Sequence, residues 1–273
     1  METYAEARIV AETAARAAGE ILLSAYGRVS AREKAPGDLV TDADLASQRA
    51  IAAILKDAFP DHTLLAEEDG VMPDPDAAFR WIVDPLDGTI NFAHGVPLWC
   101  ISIALEHAGE LVVGVVFQPL LRDLFSASKG AGATRNGEPM HVSGTDRLQR
   151  SLIVCGMPTN YVADAPRQLA IFDRFSTGTH SVRRTGNSAW NLAMTAAGGF
   201  EVCYGSSLYP WDAAAGVVLV REAGGTVTLM DGSPHDLYRN EVLATNGRVH
   251  GEAVEAIRTA VNRRPVQAGD GDE

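Results

Sequence analysis

Apolar residues recur at helical spacing over residues 3–26, where Ala7, Val10, Ala14, Ala17, Ile21 and Leu22 share one side. This is the pattern of an amphipathic helix that stops near Gly27. After the break at Ala35-Pro36-Gly37, Leu45, Ala50, Ile51, Ile54 and Leu55 mark a second helix, with Thr41 or Asp42 placed to cap it and Pro60 closing it. Short apolar runs then follow at 63–66, 81–83, 101–106, 112–118 and 124–127, which read as strands. His107-Ala108-Gly109-Glu110 and Arg135-Asn136-Gly137-Glu138 are hairpin turns between such runs. Beyond residue 150 the pattern alternates. Strands are expected at 152–155, 200–204, 226–230 and 242–245, and helices at 165–174, 189–197, from Asp212 to Gly224-Gly225, and 249–261. The alternation predicts a mixed α/β fold of layered sheets and helices.

Composition narrows this little. The chain has 273 residues, of which 46% are hydrophobic, so a large core is affordable. Net charge is −12, and no Lys/Arg cluster is present, which argues against nucleic acid as a partner. No apolar run approaches the roughly 20 residues of a bilayer span, so no membrane partner is expected. Cys100, Cys155 and Cys203 are widely spaced and lie in apolar surroundings, as buried free thiols of a reducing, cytoplasmic setting do. Residues 265–273 form a polar tail expected to be disordered, and 72–76 a loop rich in Pro and Asp.

Candidate chemistry concentrates at strand ends and helix starts. Asp84-Pro85-Leu86-Asp87-Gly88-Thr89 closes the apolar run Trp81-Ile82-Val83, and such a turn can aim two carboxylates and a hydroxyl at one point. Hard oxygen ligands of that kind suit Mg²⁺ and a phosphate. A solvated turn is the lesser alternative, because Asp, Pro and Gly are ordinary turn residues. Asp212, between Trp211 and an alanine-rich helix, reads in isolation first as a helix cap and only second as a ligand.

Taken in order, Asp38-Leu39-Val40-Thr41-Asp42-Ala43-Asp44, Glu67-Glu68, Asp84 to Phe92, Trp211-Asp212-Ala213-Ala214-Ala215-Gly216 and Gly224-Gly225 resemble the signatures of the inositol monophosphatase family, within the lithium-sensitive, Mg²⁺-dependent phosphatase superfamily. The resemblance covers roughly residues 34–245. It implies a layered α-β-α-β-α sandwich of the inositol monophosphatase/fructose-bisphosphatase type, assembled as a homodimer. It places most metal ligands in an N-terminal half, 1–146. Asp212 and a substrate-facing segment fall in a C-terminal half, 147–264. The implied metal ligands, for two or three Mg²⁺ per site, are Glu67, Asp84, the Leu86 carbonyl, Asp87 and Asp212. Asp44, Thr89 and Glu67 are the implied catalytic residues, with Asp44 and Thr89 orienting and deprotonating the attacking water. Asp87, Gly88, Thr89, Gly186, Asn187, Ser188 and Asp212 would contact the substrate.

The implied reaction is hydrolysis of a small phosphorylated alcohol, led by inositol 1-phosphate. Histidinol phosphate, fructose 1,6-bisphosphate and nucleotide bisphosphates are the alternatives, and a non-catalytic regulatory role is the contrasting class. Asn91-Phe92 resembles the inositol branch. Gly205, however, stands where inositol-specific members usually carry a glutamate, and its missing carboxylate removes an acceptor for hydroxyl groups. Arg183 and Arg184 either read a second anionic group or form surface ion pairs.

Overall fold

The computed structural model describes residues 4–28, 32–35, 38–69, 77–157 and 164–262. The loop expected at 72–76 and the tail at 265–273 lie outside them. The first helix, α1 (Tyr4–Ala25), buries Ala7, Ala11, Ala14, Ala15, Ala18 and Leu22. Its inner face is therefore alanine, and Val10, Ala17 and Ile21 are only half-buried at its flanks. Small side chains let the helix approach the sheet beneath it closely. A hairpin of β1 (Arg32–Ala35) and β2 (Asp38–Val40), not foreseen as strands, leads into α2 (Asp42–Ala58), which Thr41 caps.

Seven strands then form one sheet in sequence order: β3 (Thr63–Ala66), β4 (Phe79–Asp87), β5 (Cys100–His107), β6 (Glu110–Gln118), β7 (Asp123–Ser128), β8 (Ala133–Arg135) and β9 (Glu138–Met140). Only β3 and β4 pair in parallel. The short helix α3 (Thr89–Ala93) follows β4. Both foreseen hairpins are tight turns with positive φ at Ala108 and Gly109 and at Asn136 and Gly137, the left-handed pair that two-residue hairpins require. The second half supplies β10 (Leu152–Gly156), α4 (Ala165–Gly178), β11 (Ser181–Arg184), α5 (Ser188–Ala196), β12 (Val202–Ser206), α6 (Pro210–Glu222), β13 (Thr226–Thr228), β14 (Glu241–Thr245) and α7 (His250–Asn262). Its five strands run in the order β11-β10-β12-β14-β13.

Period-two alternation sorts the strand residues between layers. In β4, Trp81 and Val83 face the core shared with α1 and α2, whereas Ile82 faces the core shared with α5 and α6. In β10 and β12, Val154 and Cys203 join that same central core, and Ile153, Cys155, Val202 and Tyr204 pack against α4 and α7. The order is α1/α2, seven-stranded sheet, α5/α6, five-stranded sheet, α4/α7: five layers, α-β-α-β-α. The central helices fit because glycine clears their path. A Cβ on Gly114 of β6 would lie 2.4 Å from the Ala215 carbonyl, and one on Gly216 2.3 Å from Leu192 Cβ. The three cysteines are free and buried, and among the described residues no helix is long and apolar enough to cross a membrane.

Candidate active site

The strand expected at 81–83 is longer than its apolar run. β4 extends through the acids to Asp87, with its pairing to β5 shifting between Asp84 and Asp87. The proline and Leu86 occupy that irregularity, which has the character of a bulge, so both aspartates are aimed by sheet rather than by a free turn. Asp84 Oδ1 accepts the Leu86 N–H at 2.9 Å, and Ser47 Oγ of α2 donates to the Pro85 carbonyl at 2.8 Å, fixing the segment from two sides. Gly88 follows at φ +92°, where a Cβ would sit 2.9 Å from the Leu98 carbonyl, so this position demands glycine on both counts.

The third acid arrives from the opposite half. Helix α6 begins at Pro210, two residues before the expected start, with Tyr209 at its N-cap. Asp212 is therefore not the cap residue but lies in the first turn, and its Oδ2 accepts the Tyr209 N–H at 2.7 Å. Ser102 Oγ of β5 donates to the Trp211 carbonyl at 3.0 Å, pinning the helix start to the first sheet. Asp84, Asp87 and Asp212 then converge, with one carboxylate oxygen from each within 4.8 Å of the others. Glu67, on a single 3₁₀ turn (Glu67–Asp69) after β3, stands outside that group, although its charge acts on both Asp84 and Asp87.

Like charges gathered out of water resist ionisation. Burial, then the charges of Glu67, Asp87 and Asp212, hold Asp84 well above the usual carboxylate range. Burial lifts Asp87 to about 7 against the pull of backbone N–H groups, and burial with the charge of Asp87 lifts Asp212 to about 8. Among the described residues, neither arginine nor lysine is one of the main groups that act on these three acids. A largely buried, all-oxygen donor set of this kind fits a hard divalent cation.

Around this group the expected residues take distinct places. Asp44 is fully buried in the first turn of α2, where its Oδ2 accepts the Thr41 N–H at 2.9 Å and its Oδ1 faces the Thr89 hydroxyl at 3.2 Å. That hydroxyl also lies 3.0 Å from the Leu86 carbonyl, so one proton has two acceptors. Burial raises Asp44 despite the bonds from Thr41 and Thr89 that oppose it. Asp87 Oδ2 accepts the Ala189 N–H at 2.6 Å, at the N-terminus of α5, so an acid of the first half caps a helix of the second. Gly186 precedes it at φ +77°.

The Asn187 side chain is buried and bonded to the scaffold: Oδ1 accepts the Trp190 N–H at 2.9 Å and the Cys100 thiol at 3.4 Å, while Nδ2 donates to the Asp87 carbonyl at 3.1 Å and so secures Asp87. Ser188 adds a backbone N–H to Asp87. Sequence reasoning missed Ser47, Ser102, Cys100 and the bridging Asn91, whose Nδ2 reaches both the Leu98 and Thr185 carbonyls at 2.7 and 2.9 Å. The partners of Ser102, Cys100 and Asn91 across the site lie about ninety residues or more away in sequence, and no local pattern marks them. Arg183 and Arg184 are exposed on the edge strand β11.

A sequence model described as the inositol monophosphatase family matches residues 3–262. The chain belongs to the inositol monophosphatase family. It is thus a phosphatase of phosphoric monoesters, built on that family's layered fold. It is 41% identical over 259 residues to an inositol-1-monophosphatase of Synechocystis sp., covering 94% of this chain and 89% of that one. It is 38% identical over 244 residues to the Nus factor SuhB of Pseudomonas aeruginosa, covering 87% and 90%. The solved structure of an inositol monophosphatase from Anabaena (Nostoc) sp. superposes with a TM-score of 0.85 at 38% identity, covering 92% of this chain and 95% of that one.

Proposed function

We propose that this inositol monophosphatase family member hydrolyses inositol 1-phosphate with Mg²⁺ held by Asp84, Asp87 and Asp212. The observation that carries the reading is the meeting of three aspartates, two buried and one half-buried, from two halves of the chain within 4.8 Å. Glu67 and the Leu86 carbonyl complete the ligand set for two or three ions. Mg²⁺, when bound, lowers the pKa of water and offsets charge on phosphate oxygens.

The chain's own residues supply the rest. Thr89 can accept a proton from the attacking water while passing its own to Asp44, whose raised affinity for protons suits a base held out of solvent. Gly88 lets the turn pack against the Leu98 carbonyl, and the free N–H groups that open α3 supply donors for phosphate. Gly186 and the Ser188 backbone border the alcohol part. A homodimer in a reducing, cytoplasmic setting accords with the acidic surface and the free thiols.

Gly205 keeps histidinol phosphate and sugar or nucleotide bisphosphates as second candidates. A Cβ there would lie 3.0 Å from Leu208 Cδ1, so an apolar side chain occupies the space a carboxylate would need. A purely binding role, which the Nus factor names of several relatives bring into view, would leave the clustered acids without purpose. The test is kcat/KM over inositol 1-phosphate, histidinol phosphate, fructose 1,6-bisphosphate and adenosine 3′,5′-bisphosphate, with Mg²⁺ and with chelator. Inositol 1-phosphate should lead, and chelator should abolish turnover. Turnover persisting in chelator would overturn the reading.

A further inference from the structure

The loop between β12 and α6 ends in an exposed aromatic ring, Tyr209, that the reaction described above does not use. Tyr209 is 57% exposed, and its ring stacks on Trp211 with centroids 5.0 Å apart and planes inclined by 12°. Trp211 packs against the central core, so the tyrosine ring rests on a fixed surface. The loop backbone is fixed as well. Ser207 holds φ +56°, a left-handed conformation that a non-glycine residue adopts at a cost. The Leu208 N–H donates to the Asn240 carbonyl at 3.0 Å, Pro210 opens α6, and the Tyr209 N–H is bonded to Asp212. A large ring is thus held in solvent by a rigid support, on a residue whose backbone N–H donates to a carboxylate of the acid cluster.

Its location favours a ligand. β10, β11 and β12 are mutually parallel, and their C-terminal ends lie together at Gly156, Arg184 and Ser206, the end of a parallel sheet where ligands bind. Nearby, Gly205 offers no side chain and Leu208 an apolar one. At position 205 this wall therefore presents Leu208 instead of a carboxylate. An aromatic face on such a wall favours a ligand with a continuous face of C–H groups or a flat ring, and a two-torsion side chain is ordered at little entropic cost.

We infer that Tyr209 is a specificity-determining residue whose ring stacks on the alcohol part of the substrate, so that the enzyme prefers phosphate esters of cyclic alcohols over those of acyclic ones. The inference rests on the phosphomonoesterase reading. Its test is the ratio of kcat/KM for inositol 1-phosphate to that for glycerol 2-phosphate in the full-length wild type, Tyr209→Ala and Tyr209→Phe. Alanine keeps the N–H that Asp212 accepts, so the acid stays in place. The ratio is expected to fall about five- to tenfold in Tyr209→Ala, chiefly through KM for the cyclic ester, and to recover in Tyr209→Phe. An unchanged ratio would overturn the inference, whether both rates hold or both fall together. So would a fall of both rates accompanied by dissociation of an oligomer in Tyr209→Ala, which would make the ring a contact between copies. If the wild type hydrolyses neither ester, the phosphomonoesterase reading fails instead.

Discussion

Removing divalent cations should make the protein lose stability as pH rises through neutrality, and restoring Mg²⁺ should cancel most of that loss. Asp87 is raised from 3.8 to about 7 and Asp212 from 3.8 to about 8 in the folded chain. Between the unfolded and folded values the folded state binds more protons than the unfolded one, so stability declines with rising pH until the folded value is passed. From pH 6 to pH 8, linkage for Asp87 alone gives a loss of about 1.4 kcal/mol. Asp212 is only half-buried, so its share is discounted, and together the two give on the order of 3 kcal/mol. For a chain of this size that is a fall in Tm of about 5–10 °C. The assay is thermal unfolding at pH 6, 7 and 8, in chelator and in saturating Mg²⁺. A cation keeps the carboxylates ionised in the folded state and stabilises by mass action, so the decline should shrink strongly with Mg²⁺. Asp87→Asn should lose its share of the decline in chelator. Equal declines with and without Mg²⁺ would refute the reasoning, since the pH dependence would then come from charge elsewhere.

Three further outcomes are expected. Thr89→Ala should lower kcat about 10²- to 10⁴-fold while the unfolding curve stays close to wild type, and near-normal turnover would remove Thr89 from the proton path. Li⁺ should inhibit, because a small monovalent ion can occupy a carboxylate position without activating water, and turnover unchanged at high Li⁺ would count against that. Gly216→Ala should cost about 1–3 kcal/mol in denaturant unfolding, since its Cβ would meet Leu192 Cβ at 2.3 Å in the central layer; a loss under about 0.5 kcal/mol would mean that α5 and α6 separate easily.

Much of the layering was legible because strand and helix periods differ. The apolar run Trp81-Ile82-Val83 and the hairpin residues Asn136-Gly137 marked local structure without help from distant contacts. Boundaries were less legible where tertiary pairing outweighs local preference. Pro85 would end an isolated strand, yet β4 continues past it because β5 supplies the ladder and Ser47 holds the Pro85 carbonyl. The face of α1 was read correctly at Ala7, Ala14 and Leu22, while Ala11, Ala15 and Ala18, not Val10 and Ile21, complete the close contact. Within the site, the aspartates could be ordered along the chain. The bonds that hold them could not, because Asp87 depends on Asn187 and Ala189 about a hundred residues away.

The central claim is that Asp84, Asp87 and Asp212 hold the cation on which hydrolysis depends. Titration of the metal-free protein with Mn²⁺, followed by electron paramagnetic resonance beside inositol 1-phosphate turnover, tests it directly in the wild type and in Asp84→Asn. The account predicts saturable binding and activity that rise together in the wild type and are both lost in folded Asp84→Asn. Wild-type binding and turnover in folded Asp84→Asn would contradict it.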